Sequence, residues 1–380
     1  MTRPTTRDLR IDVVRGLALA MIFVDHIPGN VFARFTLQAV GFNDAAEVFV
    51  FLAGLSSAMA YASTFDRAGL AAASRKVFAR VTMLYVVHVA LFVLVAGMMA
   101  LAARVSGDPA YLEVIAATAF ETEPLTALVR LVTLTFQPTY LDILPLYVVL
   151  LSAVPLLVLA SKVHLLLPLA GSIGLFALGQ IEGMNLPNYP TTPVWFFNPL
   201  AWQLVFVLGF TLGMAGRAGH ALPKLPLVTA LAVLVVVAGA IAAAPWRALP
   251  GLADAVIVPP ELLPALDKTN LAWPRLLNLL AQAWLVAVLV PRDARWLGTG
   301  AGALLGIAGR KSLEVFSLGI LLSFAGMIVL TEFGHDLMLQ AAVTASGIGI
   351  MLATAYMLDR RDRSTRARAS VAVGVAERAT

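Results

Sequence analysis

Asp12-Val-Val-Arg15-Gly-Leu-Ala-Leu-Ala-Met-Ile-Phe-Val-Asp25-His26-Ile-Pro28-Gly29-Asn30 is the stretch that decides how this chain folds. It is apolar enough to cross a membrane as a helix, yet it carries two carboxylates, an arginine and a histidine. Ionisable groups at such a depth are costly unless they face a protein interior or a wet cavity, so their first interpretation is a functional site. We therefore take His26 as the candidate catalytic centre.

The composition extends this interpretation to the whole chain. Of 380 residues, 60% are hydrophobic and 13% are charged, and the mean hydropathy is +0.86. These values predict a polytopic membrane protein. The chain has no cysteine, which excludes thiol nucleophiles, thiolate metal sites and disulfides. Because it also lacks nucleotide-binding, zinc-protease and serine-hydrolase motifs, we expect no metal site and no nucleotidase.

Apolar runs of about 20 residues predict an all-α bundle of ten transmembrane helices. The runs cover residues 11–33, 44–62, 79–102, 139–160, 163–180, 197–215, 226–244, 271–290, 311–331 and 336–358. If the N-terminus is cytoplasmic, 21 of the 27 basic residues lie on that side and six on the other, which predicts cytoplasmic termini. The net charge of +5 therefore reflects topology and not nucleic-acid binding. We expect long outer loops at 103–138 and 245–270, one domain over 1–358, and a disordered basic tail over 359–380.

Arg15 and His26 are 11 residues apart, about 16 Å of helical rise and close to three turns, so they share a helix face. Asp12 lies one turn before Arg15 and is expected to pair with it. Arg15 would then hold an anionic end of a substrate, and His26 would meet the reactive end. Asp25 is a candidate because it adjoins His26, although the rotation between neighbours orients it poorly. A buried bridging histidine and a proton relay are the alternatives.

A second helix must therefore supply an acid that orients His26. Asp44 and Glu47 lie three residues apart at the start of the second run, on the side where the first run ends. Asp142 enters from the same side and is a third candidate. The alternative for these carboxylates is that they cap helices or bind interfacial water.

The basic residues Arg310 and Lys311, together with Arg75, Lys76 and Arg80, predict a cytoplasmic rim able to hold phosphates such as those of coenzyme A. Ordinary topogenic charge is the alternative. Glu314 follows Arg310 by one turn, and an intrahelical ion pair is as good an interpretation as substrate binding.

The outer side carries polar residues beside aromatic ones, as carbohydrate clefts do. The polar and aromatic candidates are Asn198, Trp202, Gln203, Lys268 and Asn270. Trp195, Trp246 and Trp273 lie near the same boundary, where an aromatic belt explains tryptophans without a ligand.

The chain resembles the transmembrane acyltransferases in three successive motifs. They are Asp12-x-x-Arg15-Gly16, Asp25-His26 and Phe49-Val-Phe-Leu-Ala-Gly54-Leu-Ser56. The closest resemblance is to the OpgC family, over residue 9 to about 358. It rests on an ordered set of blocks: Asp25-His26-Ile-Pro28-Gly29-Asn30, Phe42-Asn43-Asp44-Ala-Ala-Glu47-Val-Phe, Asn198-Pro-Leu-Ala-Trp202-Gln203, Leu-Asp267-Lys268-Thr-Asn270-Leu and Gly309-Arg310-Lys311-Ser312-Leu-Glu314-Val-Phe.

This resemblance implies an enzyme of the bacterial inner membrane that moves a succinyl group from cytoplasmic acyl-CoA to a periplasmic glucan. Acyl-CoA is then a co-substrate, no cofactor is tightly bound, and membrane lipid is the other partner. His26 matches the family's essential histidine, and Arg15 its basic partner. Which acid orients His26, and the oligomeric state, stay open.

Thioesters are already activated, so the implied reaction needs no ATP. His26 would act as general base, with Glu47 or Asp44 fixing its tautomer, and the Asn43 amide or a tryptophan N–H would stabilise the oxyanion. Arg34, Lys268 and Arg275 are candidates for holding the succinyl carboxylate. The alternatives are an acyl-histidine relay, a proton-coupled secondary transporter or exporter, and a scaffold protein.

Overall fold

The computed structural model describes residues 7–248, 251–252, 255, 257–259 and 266–379. From residue 366 onward it describes only the backbone. Throughout these ranges the ordered elements are helices, and there is no β-strand. In chain order the α-helices are α1 (Leu9–Asp25), α2 (Leu37–Val40), α3 (Ala45–Ser106), α4 (Ala110–Val114), α5 (Ala119–Thr122), α6 (Pro124–Val132), α7 (Ile143–Ser152), α8 (Val154–Val163), α9 (Leu167–Glu182), α10 (Pro199–Arg217), α11 (Pro226–Ala243), α12 (Trp273–Leu289), α13 (Gly300–Arg310), α14 (Ser312–Phe333) and α15 (Leu337–Ala379).

Five segments of the described chain are long and apolar enough to cross a membrane. They are Ala45–Ser106, Pro199–Arg217, Pro226–Arg247, Ser312–Phe333 and Leu337–Thr365. A sixth is formed if α7 and α8, bent by 41° at their junction, count as one span. The all-helical fold is thereby confirmed, and its long apolar helices are consistent with a membrane protein. Each of the ten predicted runs overlaps a helix, although the first, 11–33, is α-helical only as far as Asp25. Ten crossings and cytoplasmic termini stay predictions, because α1, α9 and α12 are shorter than the other candidates.

Two predicted runs lie in one long helix. α3 has 62 residues and is interrupted at Gly69, whose φ of 76° and ψ of 178° are not helical. Glycine suits this point because it tolerates a positive φ without a Cβ clash. One helical stretch precedes Gly69 and another follows it, which accounts for the separate runs at 44–62 and 79–102.

The backbone packs as two compact units, and the single domain over 1–358 stays a prediction. We call Met1–Ala33 with Leu289–Thr380 the His26 unit, and Arg34–Val288 the Glu47 unit.

In the His26 unit, α1 and α13 cross with their backbones in contact. A Cβ atom added to Gly16 would lie 2.0 Å from the carbonyl oxygen of Leu305, and one added to Gly309 would lie 1.9 Å from that of Asp12. Only glycine permits such an approach. Asp8 caps the start of α1 by accepting from the backbone N–H of Arg10. Burial raises the pKa of the Asp8 carboxyl, but the hydrogen bonds and charge of Arg10 lower it more, so this pKa lies below its ordinary value.

α15 continues past Asp359, where the sequence predicts a disordered tail. Asp359 pairs with Arg310 at 3.3 Å and with Arg363, one turn onward, at 2.7 Å. Asp362 pairs with Lys311. The residues just after 358 are therefore helical and are tied by charge to the α13–α14 junction.

In the Glu47 unit, α3 and α10 form a second glycine-mediated crossing. A Cβ atom on Gly54 would lie 1.9 Å from the carbonyl oxygen of Phe206, and one on Gly209 would lie 2.0 Å from that of Phe51. The glycine of the Phe49–Ser56 block therefore has a packing role.

The predicted outer loop at 103–138 contains three short helices and returns along the second half of α3. Tyr85 donates to the carbonyl of Val132 at 2.9 Å, and the Phe92 ring packs on Phe120 and Phe136. Of the predicted outer loop at 245–270, residues 249–250, 253–254, 256 and 260–265 lie outside the described residues.

Candidate active site

His26 stands where α1 ends. The helix is regular from Leu9 to Asp25, and His26 is its C-terminal cap, with φ −88° and ψ 4°. Its backbone N–H donates to the carbonyl of Ile22 at 3.0 Å. Both His26 and Asp25 are half-buried. His26 is thus carried by the rigid end of a helix and keeps part of its surface exposed, although its Nδ1 atom is buried.

Arg15 lies at the α1–α13 crossing, close to where Arg310 ends α13. Its Nη1 donates to the carbonyl of Gly309 at 3.5 Å. The Asp12 carboxylate, 2% exposed, receives two hydrogen bonds from Arg7, at 2.6 and 2.8 Å. The sequence predicted an ion pair between Asp12 and Arg15. It missed Arg7, because Arg7 precedes the helix and no helical spacing connects it to Asp12.

Arg310 and Lys311 are already charge-paired, with Asp359 and Asp362 of α15. A phosphate group would have to displace or share with these carboxylates. Glu314 is exposed and, among the described side chains, makes neither a hydrogen bond nor an ion pair. The expected intrahelical pair with Arg310 is therefore wrong, since Arg310 pairs across to α15.

The remaining cations of the predicted rim belong to the Glu47 unit. Lys76 donates to the carbonyl of Ala60 at 3.2 Å and lies over the Tyr61 ring. Arg75 is exposed, whereas Arg80 is half-buried and donates to the Met83 sulfur at 3.3 Å. These cations fit the alternative interpretation, in which their charge sets the membrane topology and does not bind phosphate.

Asp44 and Glu47 together cap the start of α3. Asp44 accepts from the backbone N–H of Ala46 at 2.8 Å, and Glu47 accepts from the backbone N–H of Asp44 at 3.0 Å. This reciprocal arrangement is a capping box. The helix-cap alternative is therefore correct for both carboxylates.

Two cations also hold this pair of carboxylates. Arg275 donates to Glu47 through Nε at 2.6 Å and to Asp44 through Nη2 at 3.1 Å. Lys268 pairs with Asp44 at 2.6 Å. Glu47 is fully buried, and the Arg275 side chain is 10% exposed. We expected Lys268 and Arg275 to hold a succinyl carboxylate; instead they compensate buried carboxylates of the protein. Arg34, the third candidate, is exposed.

Asn43 joins the same buried network through α12. Asn278 donates to its carbonyl oxygen at 2.8 Å, and Asn43 donates to Gln282 at 3.1 Å. Asn43, the predicted oxyanion donor, therefore already uses one of its amide N–H groups within the network. Sequence analysis missed Asn278 and Gln282, yet their spacing was a signal: with Arg275 they form an i, i+3, i+7 stripe on an otherwise apolar helix.

Asp142 precedes α7 and lies within electrostatic range of Lys268 and Asp44. The structure thus gathers all three predicted acids in the Glu47 unit. His26 belongs to the other unit, so its orientation by Asp44 or Glu47 stays a prediction.

The predicted outer-side residues tie the segment at 267–270 to α9 and α10. Asn198 donates to Asn270 at 2.9 Å, and Trp202 donates to the carbonyl of Lys268 at 3.0 Å. Gln203 exchanges hydrogen bonds with Ser172. Trp202 is fully buried and Trp195 is 2% exposed. Because neither ring offers a face to a sugar, these two do not form the carbohydrate cleft that we expected.

The chain matches the OpgC protein family over residues 7–363. It belongs to this family. No curated protein and no solved structure matches it. OpgC membership confirms the resemblance seen in the sequence blocks, and it implies an acyltransferase of the glucan succinyltransferase type.

For an OpgC family member, the two polar regions have different chemical capacities. The Glu47 unit holds a charge-compensated, mostly buried network in which Arg275 and Lys268 pair with Asp44 and Glu47, while Oδ1 of Asn278 has no hydrogen-bond partner among the described residues. The His26 unit places a half-buried imidazole at one end of α1 and a group of arginines at the other. An imidazole can exchange a proton near neutral pH, so it is the group suited to acid–base chemistry.

Proposed function

We propose that this protein moves an acyl group, succinyl in the first instance, from cytoplasmic acyl-CoA to a hydroxyl of a periplasmic glucan, with His26 as general base. The observation that carries this proposal is the half-buried imidazole at the end of a regular helix whose other end lies among Arg7, Arg15 and Arg310. Family membership supports acyl transfer. The composition, the charge asymmetry and the long apolar helices support an inner-membrane protein of ten spans with cytoplasmic termini.

The proposed reaction balances without a further reagent. His26 accepts the proton of the acceptor hydroxyl as its oxygen attacks the thioester carbon. The tetrahedral intermediate then collapses, the carbon–sulfur bond breaks, and the imidazolium returns the proton to the departing thiolate. The products are a glucan ester and free coenzyme A, so no ATP is consumed.

The two ends of α1 suit different parts of the proposed substrates. Arg15 and His26 are separated by about 16 Å of helical rise. The arginine end, where Arg310 and Lys311 also lie, suits the phosphates of coenzyme A. The histidine end suits the thioester and the acceptor hydroxyl.

The test is transfer by purified protein in lipid nanodiscs. Succinyl-CoA and acetyl-CoA are each mixed with a linear or cyclic glucan, and ester formation is followed by mass spectrometry. We expect an ester with wild-type protein and none with His26→Ala. If the wild-type protein forms no ester with any donor, the proposal is wrong and the proton-coupled transporter becomes the preferred function.

A second measurement separates direct transfer from a relay. Radiolabelled succinyl-CoA is mixed with protein in the absence of glucan. Labelled protein that is lost in His26→Ala indicates an acyl-histidine intermediate. A ternary-complex kinetic pattern without labelled protein indicates direct transfer.

A further inference from the structure

His26 is followed by a tight turn over Ile27–Val31, which connects α1 to a 3-10 helix at Val31–Phe35. Gly29 in this turn has a φ of +73°, which favours glycine. Four residues of the turn contact α14, α15 or the segment between them. The position of the imidazole therefore depends on how these elements hold the turn.

Apolar packing fixes the chain on both sides of His26. A Cβ atom added to Gly347 of α15 would lie 2.1 Å from the Phe23 ring, so ring and helix backbone are in close contact. A Cβ atom on Gly326 of α14 would lie 3.2 Å from Ile27. Phe23 and Ile27 are each 1% exposed. These contacts anchor the residues three before and one after His26.

Gln340 of α15 makes the first polar contact with the turn. Its Oε1 accepts from the backbone N–H of Val31 at 2.6 Å, and its Nε2 donates to the carbonyl of His335 at 2.5 Å. Gln340 is 6% exposed. One side chain thus links the turn after His26 to the turn between α14 and α15.

Thr344 makes the second polar contact, one helical turn further along α15. Its hydroxyl accepts from Nδ2 of Asn30 at 3.0 Å, and Oδ1 of Asn30 accepts from the backbone N–H of Phe32 at 3.1 Å. Asn30 and Thr344 are both buried. Buried polar groups are costly when unpaired, so these bonds favour one register of the turn over its neighbours.

We propose that Gln340 and Thr344 are positioning residues for His26. Four residues apart, they present one face of α15 to the turn and fix where α1 ends and where the imidazole lies. This inference rests on the proposed role of His26 as general base. Neither residue touches the reacting atoms. A displacement of about 1 Å at a catalytic group can reduce the rate about 100-fold.

The test compares variants that delete these hydrogen bonds with variants that keep them. Thr344→Val and Gln340→Met remove the acceptor at nearly constant volume, whereas Thr344→Ser retains the hydroxyl. Ser346→Ala deletes an exposed hydroxyl of the same helix and is the matched control. We measure kcat and KM with succinyl-CoA and glucan, and the rate at which diethylpyrocarbonate modifies His26 as a function of pH. His220, an exposed histidine of the Glu47 unit, is the internal reference.

We expect kcat to fall about 10- to 100-fold in Thr344→Val and Gln340→Met, with the KM for succinyl-CoA changing less than about three-fold. The modification rate of His26 should change relative to that of His220. Thr344→Ser and Ser346→Ala should stay close to wild type in both readouts. This split between kcat and KM, with recovery in Thr344→Ser, is not what general destabilisation produces.

A second pair of variants tests the turn from its other side. Gly29→Ala would bring a Cβ atom within 3.1 Å of the His335 ring, whereas Gly334→Ala, also at positive φ, meets nothing within 4 Å. Both carry backbone strain at positive φ, and Gly29→Ala adds the contact with the ring. We expect Gly29→Ala to lower kcat much more than Gly334→Ala. This pair decides the question if Thr344→Val fails to fold.

Two outcomes would overturn the inference, and they differ from failure of the proposed function. If kcat and the His26 modification rate in Thr344→Val and Gln340→Met equal those of wild type, positioning is wrong and the acyltransferase stands. Equal losses in Gly29→Ala and Gly334→Ala also contradict it. If wild-type protein forms no ester, the proposed function is wrong, and His26 modification alone then decides whether α15 positions the imidazole.

Discussion

The Glu47 unit and the His26 unit use ionisable residues in opposite ways. In the Glu47 unit, Arg275 and Lys268 surround Asp44 and Glu47, and amides of α12 complete a network that is mostly closed to solvent. In the His26 unit, the imidazole is half-buried at the end of α1, and Arg15 of the same helix hydrogen-bonds to Gly309 at the crossing with α13.

This difference distinguishes ionisable residues that stabilise the fold of an apolar chain from those that are able to act on a substrate. A buried ion pair with its hydrogen bonds satisfied is costly to break but does not offer a group to a substrate. A half-buried imidazole on a rigid support can meet a substrate through its exposed part and exchange a proton. We therefore expect substitutions in the two units to affect different measured quantities.

The largest effect should come from His26. His26→Gln removes the proposed base, and we expect kcat to fall about 100- to 10,000-fold while the unfolding midpoint stays close to wild type. His220→Gln, an exposed histidine of the Glu47 unit, is the control. Transfer of radiolabelled succinyl groups to glucan is the measurement. A His26→Gln enzyme with wild-type kcat would remove the basis of the comparison.

Glu47 should give the largest loss of stability. Glu47→Gln leaves Arg275 buried with half of its negative charge removed, and breaking a buried pair in this way costs about 3 kcal/mol. We expect this loss in the free energy of unfolding measured in detergent micelles. Asp66→Asn, which weakens half-exposed pairs with Lys162 and Arg217, should cost less than about 1 kcal/mol. Equal losses for the two variants would show that burial does not distinguish them.

The glycine crossings should give an intermediate effect. Gly309→Ala and Gly54→Ala each place a Cβ atom 1.9 Å from a carbonyl oxygen, so the helices must separate. We expect losses of about 1–3 kcal/mol in unfolding free energy. Gly349→Ala, which meets nothing within 4 Å, is the control.

The same crossings distinguish the two units functionally. Gly309→Ala should also raise the KM for acyl-CoA, because Arg15 hydrogen-bonds at that crossing. Gly54→Ala should not raise it more than its loss of stability explains. A KM increase confined to Gly54→Ala would reverse the assignment of donor binding to the His26 unit.

The smallest effect should come from the carboxylates of α15. Asp362→Asn removes the partner of Lys311, and we expect coenzyme A to bind up to about three-fold more tightly, as the modest strength of a partly exposed ion pair allows. Isothermal titration at low salt measures this gain, which should vanish in 1 M salt. Asp293→Asn, an exposed carboxylate in the same unit, is the control. An equal gain in both variants would indicate net charge alone.

Much of the fold could be predicted because its cause is local. Apolar runs identify helices directly, and the blocks around Arg15, His26 and Glu47 identify the family, since both signals lie within short stretches. The helix cap formed by Asp44 and Glu47 was also weighed from sequence, because a capping box spans four residues. The end of α1 at Asp25 is consistent with Pro28 and Gly29 just beyond it.

What the sequence by itself determined, then, is an all-helical membrane protein of the OpgC family with a histidine inside its first apolar run; that His26 stands where the helix ends was decided by the structure. Tertiary structure alone decided which side chains meet. Glu47 and Arg275 are 228 residues apart, and Val31 and Gln340 are 309 apart. No periodicity connects such positions, because they are brought together only where helices cross, and where helices cross depends on glycines whose neighbours lie elsewhere in the chain.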